Sequence, residues 1–473
     1  MVSERGEGMS KSMLAQLWHR GRSSAIAYAG IATVIRMGAN VLLLPVVLQK
    51  LSTGDLALWW VFLALGAFAN LADFGFGAAI IRVYSYLWAG ADDFETEGLR
   101  AASQSSQPNL AKLRELNATA QMLYVRLALA ATFILALVGT FFVLGPAQSS
   151  NHPMQVWLAW LLYLVSIGFS LGTMHWSFAC QGIDRMRELH SAYMWSSLTY
   201  LASAVALLFS GLGIFALVIA TLLRAVVGQQ LCWRTYRRAV PADSVNGPPK
   251  PNYEMLRKLW PNAWKFGVLA IGAYLVANSS VLISSVLLGE EVTASFGLTF
   301  QIGALLVNFS GLWLTVKWSQ ITILRTQGKL VEMSTLFARR LAFSMITYAL
   351  MAILLAMLGN WLLEWKGVNT RLLAFPFLAV YLFHLGQQMF FSQFASFTFT
   401  ENVVPFFKLS LFTGIGLIAL SFALTPWLGL WGLVLAPLLA TMACSSWYPV
   451  WRGFRGQPLT VRQFVRAAIQ GGS

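Results

Sequence analysis

Charge is scarce in this chain. Of 473 residues, 11% are Asp, Glu, Lys or Arg and 57% are hydrophobic, whereas soluble domains run near a quarter charged. A large soluble domain is therefore excluded. Cysteine is thin too: Cys180, Cys232 and Cys444 lie far apart and the five histidines are scattered. No CxxC, zinc spacing or disulfide framework can be built from them, so neither a metal nor a cofactor is expected. Acids are outnumbered, 18 against 33 bases, for a net charge of +15. Such an excess can mark nucleic-acid binding, but in an oily chain it is what basic cytoplasmic loops produce. No nucleic-acid partner is expected. A cleavable leader is not expected either: "MVSERGEGMSKSMLAQLWHRGRSS" is polar and of mixed charge, so the first apolar segment should remain as a span.

What is present is a series of long apolar runs. About 20 residues cross the hydrocarbon core as a helix, and mean hydropathy is +0.64. Twelve segments fit, near 24–49, 56–82, 117–144, 154–180, 190–210, 212–232, 262–288, 292–319, 336–358, 372–398, 405–425 and 428–450. The expectation is an all-α polytopic membrane protein. The pairs 190–232 and 405–450 are joined by very short turns, "SGLG" and "TPWLG", which force tight hairpins.

Lys and Arg set the orientation. With the N-terminus inside, only Lys50, Lys366 and Arg371 fall in outward turns, and Arg36, Arg126, Arg224, Lys265 and Lys317 fall inside spans. Every other Lys and Arg lies on the inner side. Both termini are thus expected in the cytoplasm. The Pro-rich stretch "PADSVNGPPKPN" divides the chain into residues 1–232, a cytoplasmic linker 233–261, and residues 262–473 with a basic tail. The halves look related. "GANVLLLPVVLQKLSTGDLALWW" from Gly38 and "VANSSVLISSVLLGEEVTASFGL" from Val276 both read Ala-Asn, an apolar run, an acidic turn and a new span. Six spans per half give a parallel repeat, two six-helix bundles about an axis along the membrane normal, and transporters of that build place substrate between the halves.

Charges inside spans cost several kcal/mol and face a cavity or a partner. At 1.5 Å per residue, Asp73 and Arg126 each lie roughly 13 Å from the inner face, on consecutive antiparallel spans, and could pair. Arg224 is about 12 Å in and Arg36 roughly 18 Å, near the midplane. Lys265 and Lys317 lie within about 8 Å of the inner face; these two and Arg82 either line the cavity or snorkel to the interface. Bases exceed acids in this set, which suits an anionic cargo such as a phosphate. The aromatics near span ends, Trp427 and Trp447 among them, suit an interfacial belt better than sugar stacking.

One stretch resembles a known family. "LPVVLQKLSTGDLALWWVFLALGAFANLADFGFGAAIIR" is similar to the first two spans of polysaccharide exporters (O-antigen flippases) in the multidrug/oligosaccharidyl-lipid/polysaccharide superfamily. Those have an Arg-bearing first span, an acidic turn, and an Asp-x-Gly-x-Gly-x-small-x-x-Arg pattern, matched here by Asp73, Gly75, Gly77 and Arg82. Where members usually carry Gly-(Leu/Ile/Val)-(Tyr/Phe) after the turn, this chain has Ala57-Leu58-Trp59. The resemblance implies a flippase, not an enzyme. It would move a polyprenyl-pyrophosphate-linked oligosaccharide from the inner to the outer leaflet of a bacterial plasma membrane, by alternating access. Membrane lipids, glycosyltransferases and a glycan polymerase are the implied partners. Arg36, Asp73 and Arg82 correspond to the family's charged positions; Arg126, Arg224, Lys265 and Lys317 rest on depth alone. Two other readings stand beside it. A multidrug or toxin exporter of the same superfamily needs cavity acids, and only Asp73 is mid-span. A membrane glycosyltransferase or glycan polymerase usually shows a large outer loop or a carboxylate cluster, and none stands out.

Overall fold

The computed structural model describes residues 25–90, 108–149, 153–241, 250–400 and 406–469, and among them every regular element is helical. In hydrocarbon the backbone has no water to bond, and a helix satisfies its polar groups internally. In chain order the helices are α1 (Ala25–Lys50), α2 (Thr53–Ala69), α3 (Phe76–Trp88), α4 (Leu110–Ser149), α5 (Pro153–Gly172), α6 (His175–Gly182), α7 (Met186–Phe209), α8 (Ile214–Ala239) and α9 (Tyr253–Leu287). They continue with α10 (Gly289–Thr315), α11 (Trp318–Thr326), α12 (Leu330–Trp365), α13 (Phe375–Phe399), α14 (Phe407–Leu428), α15 (Leu430–Cys444), α16 (Trp447–Arg455) and α17 (Val461–Ile469).

Among the described residues, ten stretches are long and apolar enough to cross a membrane. The two remaining expected spans are α1 and α13, of 26 and 25 residues. Each is roughly 38 Å long, sufficient to cross. His384, Gln387, Gln388 and Gln393 dilute the second.

Two expectations are corrected. Four spans are broken helices: α2 gives way to α3, α5 to α6, α10 to α11 and α15 to α16. Others run past the membrane thickness, with 40 residues in α4 and 36 in α12. Helix enters the expected linker 233–261 from both ends, since α8 continues to Ala239 and α9 begins at Tyr253; residues 242–249 lie outside the described part.

The chain packs as two units. The first is Met1–Leu51, Ala72–Gly139 and Met154–Trp264; the second is Ser52–Leu71, Thr140–Pro153 and Lys265–Ser473. In the first, Ile80, Tyr84 and Leu87 of α3 meet Leu113, Leu116 and Tyr124 of α4 in one buried cluster. Tyr84 donates to Asn117 Oδ1 at 3.0 Å and Tyr236 to the Leu113 carbonyl at 3.0 Å, so the buried phenols are satisfied. In the second, Phe337 stacks on Phe397 at 4.3 Å and meets Phe394 edge-on at 5.3 Å. There α2 lies so close to α10 that a methyl on Gly297 would come within 2.4 Å of the Trp60 ring. Lipid tails are as apolar as side chains, so close backbone approach rather than water exclusion drives such contacts.

Each unit holds one tight hairpin, α7–α8 and α14–α15. Both turn on a glycine of nearly the same conformation: Gly213 at φ 53°, ψ −133° and Gly429 at φ 57°, ψ −133°. A side chain at that geometry would cost about 1–3 kcal/mol.

Candidate functional site

Asp73 sits at the break in the second span. After α2 the chain makes one 3-10 turn, Asn70–Asp73. Phe74 then takes φ 45° and Gly75 φ 74°, and α3 begins at Phe76. A helix restarting inside an apolar segment leaves its first N–H groups without partners. Asp73 Oδ1 accepts the Gly77 N–H at 2.9 Å and the Tyr124 hydroxyl donates to the same oxygen. The carboxylate therefore caps α3, at the positive end of its dipole. Each part of the Asp-x-Gly-x-Gly pattern then has a local reason. Asp73 supplies the acceptor and Gly75 the left-handed backbone. Gly77 lets the Phe178 ring close in, 2.6 Å from where a methyl would be.

The pairing of Asp73 with Arg126 expected from depth does not occur. Arg126 is exposed and its Nη2 donates to the Tyr253 hydroxyl at 3.1 Å, with the guanidinium 5.6 Å from the ring centre. Depth fixes the level of a residue but not its azimuth. Tyr124 and Arg126 are two residues apart, about 200° around the helix, so only one can face α3. Arg126 instead helps dock the start of α9 on α4. The neighbouring Asn252 donates to Glu115 Oε1 at 2.7 Å and its N–H to Thr119 Oγ1 at 2.8 Å.

Arg36 and Arg224 lie within electrostatic reach of each other. They stand on α1 and α8 of the first unit, both of which pack on α7. Arg36 is exposed and lies within electrostatic reach of His190, Tyr193 and Arg224. Arg224 is half-buried, its guanidinium 5.5 Å above the buried Tyr200 ring. Among the described residues neither arginine forms an ion pair; the acid on α7, Glu188, pairs with Arg185 at 3.8 Å. Two span cations without a carboxylate leave positive charge uncompensated in this part of the first unit. Tyr193, Tyr200 and His190 were not anticipated, because an aromatic in a span carries no signal distinguishing it from core.

The remaining candidates scatter. Arg82 is exposed on α3. Lys317 stands at the α10–α11 break of the second unit, half-buried, its Nζ 3.0 Å from Gln320 Oε1. The Lys265 side chain lies outside the described residues. The second unit also has a cavity of about 330 Å³, lined by Val276, Gln388, Phe391, Phe399 and Thr413 among others. The hydroxyls of Ser392, Ser396, Thr413 and Thr441 bond back to their own helices, so the walls are mostly apolar.

No family model and no curated protein sequence matches this chain. Solved structures do match. An inward-facing multidrug resistance MATE family transporter of the MOP superfamily aligns with TM-score 0.64 and 12% identity, over 92% of this chain and 98% of that one. The lipid II flippase MurJ, inward closed, aligns with TM-score 0.62 and 14% identity, over 93% and 90%. The MATE multidrug transporter DinF-BH in complex with R6G gives 0.58 and 16%, over 94% and 96%. The chain has the fold of the MOP superfamily transporters. At these identities the likeness carries the fold and leaves the cargo to be argued from the residues.

Proposed function

We propose that this chain is a flippase for a polyprenyl-pyrophosphate-linked oligosaccharide, working in a bacterial inner membrane with both termini in the cytoplasm and supplying surface polysaccharide assembly. The observation that carries it is Arg36 and Arg224, two span cations within electrostatic reach of each other and, among the described residues, in no ion pair. Pyrophosphate is a dianion or more, and a bidentate guanidinium matches its oxygens. The same fold includes multidrug transporters, which makes an organic cation the rival cargo. That reading needs a free carboxylate, and Asp73 is occupied by Gly77 and Tyr124. Glycosyltransferases and a glycan polymerase would stand before and after such a step.

The test is reconstitution into vesicles with a fluorescent polyprenyl-pyrophosphate oligosaccharide. Protein-containing vesicles should expose the glycan to an impermeant lectin faster than empty ones, with its mass unchanged. A changed mass would indicate an enzyme. Movement of a cationic dye and not the glycan would favour the multidrug reading.

Orientation has its own test. Single cysteines at Ser52, Gln148 and Asn369, all exposed, should react with an impermeant thiol reagent in intact cells. Cysteines at Gln327 and Thr460, also exposed, should react only after permeabilisation. The opposite pattern would invert the topology.

A further inference from the structure

From Asn402 to Ser473 the sequence contains no Asp or Glu, while Arg452, Arg455, Arg462 and Arg466 fall in its last part. The two closing helices, α16 and α17, carry these arginines. The last candidate span ends at Arg455, and residues 456–460 lead directly to α17. Five residues reach at most about 18 Å, so α17 begins at the membrane boundary where α16 leaves it.

The rotation of α17 about its axis is fixed. Its start is a capping box: Thr460 N–H donates to Gln463 Oε1 at 2.9 Å, and the Gln463 N–H to Thr460 Oγ1 at 3.4 Å. Phe464 is buried, with its ring 5.2 Å from Phe454 and 6.0 Å from Phe337. The helix cannot turn over without losing that seat. Its outward surface is then set. Val461, Val465 and Ile469, spaced i, i+4, i+8, are 61%, 49% and 78% exposed. Arg462 and Arg466 form an exposed cationic row beside them. On α16, Trp447 and Trp451 are exposed, and Arg455 lies 4.2 Å from the Trp451 ring centre. Amphipathic aromatics at that level are interface anchors.

An apolar row flanked by arginines, with no acid in the segment, is complementary to a negatively charged lipid surface. The aliphatics enter the headgroup–acyl boundary while the guanidiniums hold phosphates. We propose that α17 is an interfacial helix that binds anionic phospholipid in the leaflet where α16 ends, and so ties the Phe337 core of the second unit to that surface. This inference does not depend on the identity of the cargo.

The experiment places an environment-sensitive fluorophore on Val465→Cys in the full chain, with Cys444→Ser; Cys180 and Cys232 are buried. The protein is put in nanodiscs of phosphatidylcholine with increasing phosphatidylglycerol. Emission should shift to the blue as anionic lipid is added. In the Arg462→Gln/Arg466→Gln variant the apparent affinity for the anionic surface should fall about thirtyfold, since each surface arginine contributes roughly a factor of five. High salt should lower that affinity in the wild type. Emission that stays at its water value in anionic nanodiscs, or a double variant with the wild-type response, overturns the proposal. Should Val465→Cys fail to fold, the label on Ile469→Cys reads the same row.

Discussion

Arg36→Ala is expected to insert and accumulate like the wild type, while surface glycan falls and lipid-linked precursor builds up inside the cell. The side chain is exposed on α1 and makes no ion pair among the described residues, so its removal leaves no orphaned partner. On the proposed function, what is lost is a charge-assisted contact to the cargo, worth about 1.5–3 kcal/mol, or roughly ten- to a hundredfold in affinity. Arg36→Lys should retain part of the activity: the point charge remains and the bidentate fork does not. Arg224→Gln should act in the same direction, with some loss of stability because it also gives up the Tyr200 ring. If both arginines meet one pyrophosphate, the double change should cost less than the sum. Normal export by Arg36→Ala would remove the cation from the path. Failure of that variant to accumulate would make it structural.

Asp73→Ala should lower stability by about 1–3 kcal/mol, read as an earlier unfolding midpoint of purified protein. Two losses combine: the cap on Gly77, and the acceptor for a buried tyrosine hydroxyl. Asp73→Asn keeps an acceptor and should be milder. Tyr124→Phe combined with Asp73→Ala should be clearly non-additive, because each removes the same bond. Arg126→Gln combined with Asp73→Ala should be additive, since Arg126 bonds Tyr253 instead. Coupling in the second cycle and none in the first would restore the salt-bridge reading.

The contrast between Tyr124 and Arg126 also marks what a sequence can carry. Hydropathy and Lys/Arg placement report on depth and side, because the bilayer sorts residues by those two coordinates. The span series and the paired hairpins were therefore readable. Rotation about each helix axis is set by neighbours, which no single segment encodes, and that is where the partner of Asp73 was misplaced. The break at Phe74 was hidden for a related reason: an apolar window averages over a turn that costs only two residues. Yet "DFGFG" contained it, since an acid followed by spaced glycines is a capped restart of a helix. Arg36 and Arg224 were named separately by depth, whereas their proximity came from the packing of α1 and α8 about α7.

The turns at Gly213 and Gly429 have a consequence for how this chain is made. Each joins two spans by so few residues that neither helix can be laid into the bilayer without its mate. The free ends of the first pair carry Arg185 and Arg187 at one side and Arg234, Arg237 and Arg238 at the other; the second pair carries Lys408, then Arg452 and Arg455. By the positive-inside rule the bases on both legs of each pair favour the same side of the membrane. Reversing the sign at one leg would oppose the other rather than invert a helix. Topology here is inherited two spans at a time, and an insertion between the legs would free what the glycine now keeps in step.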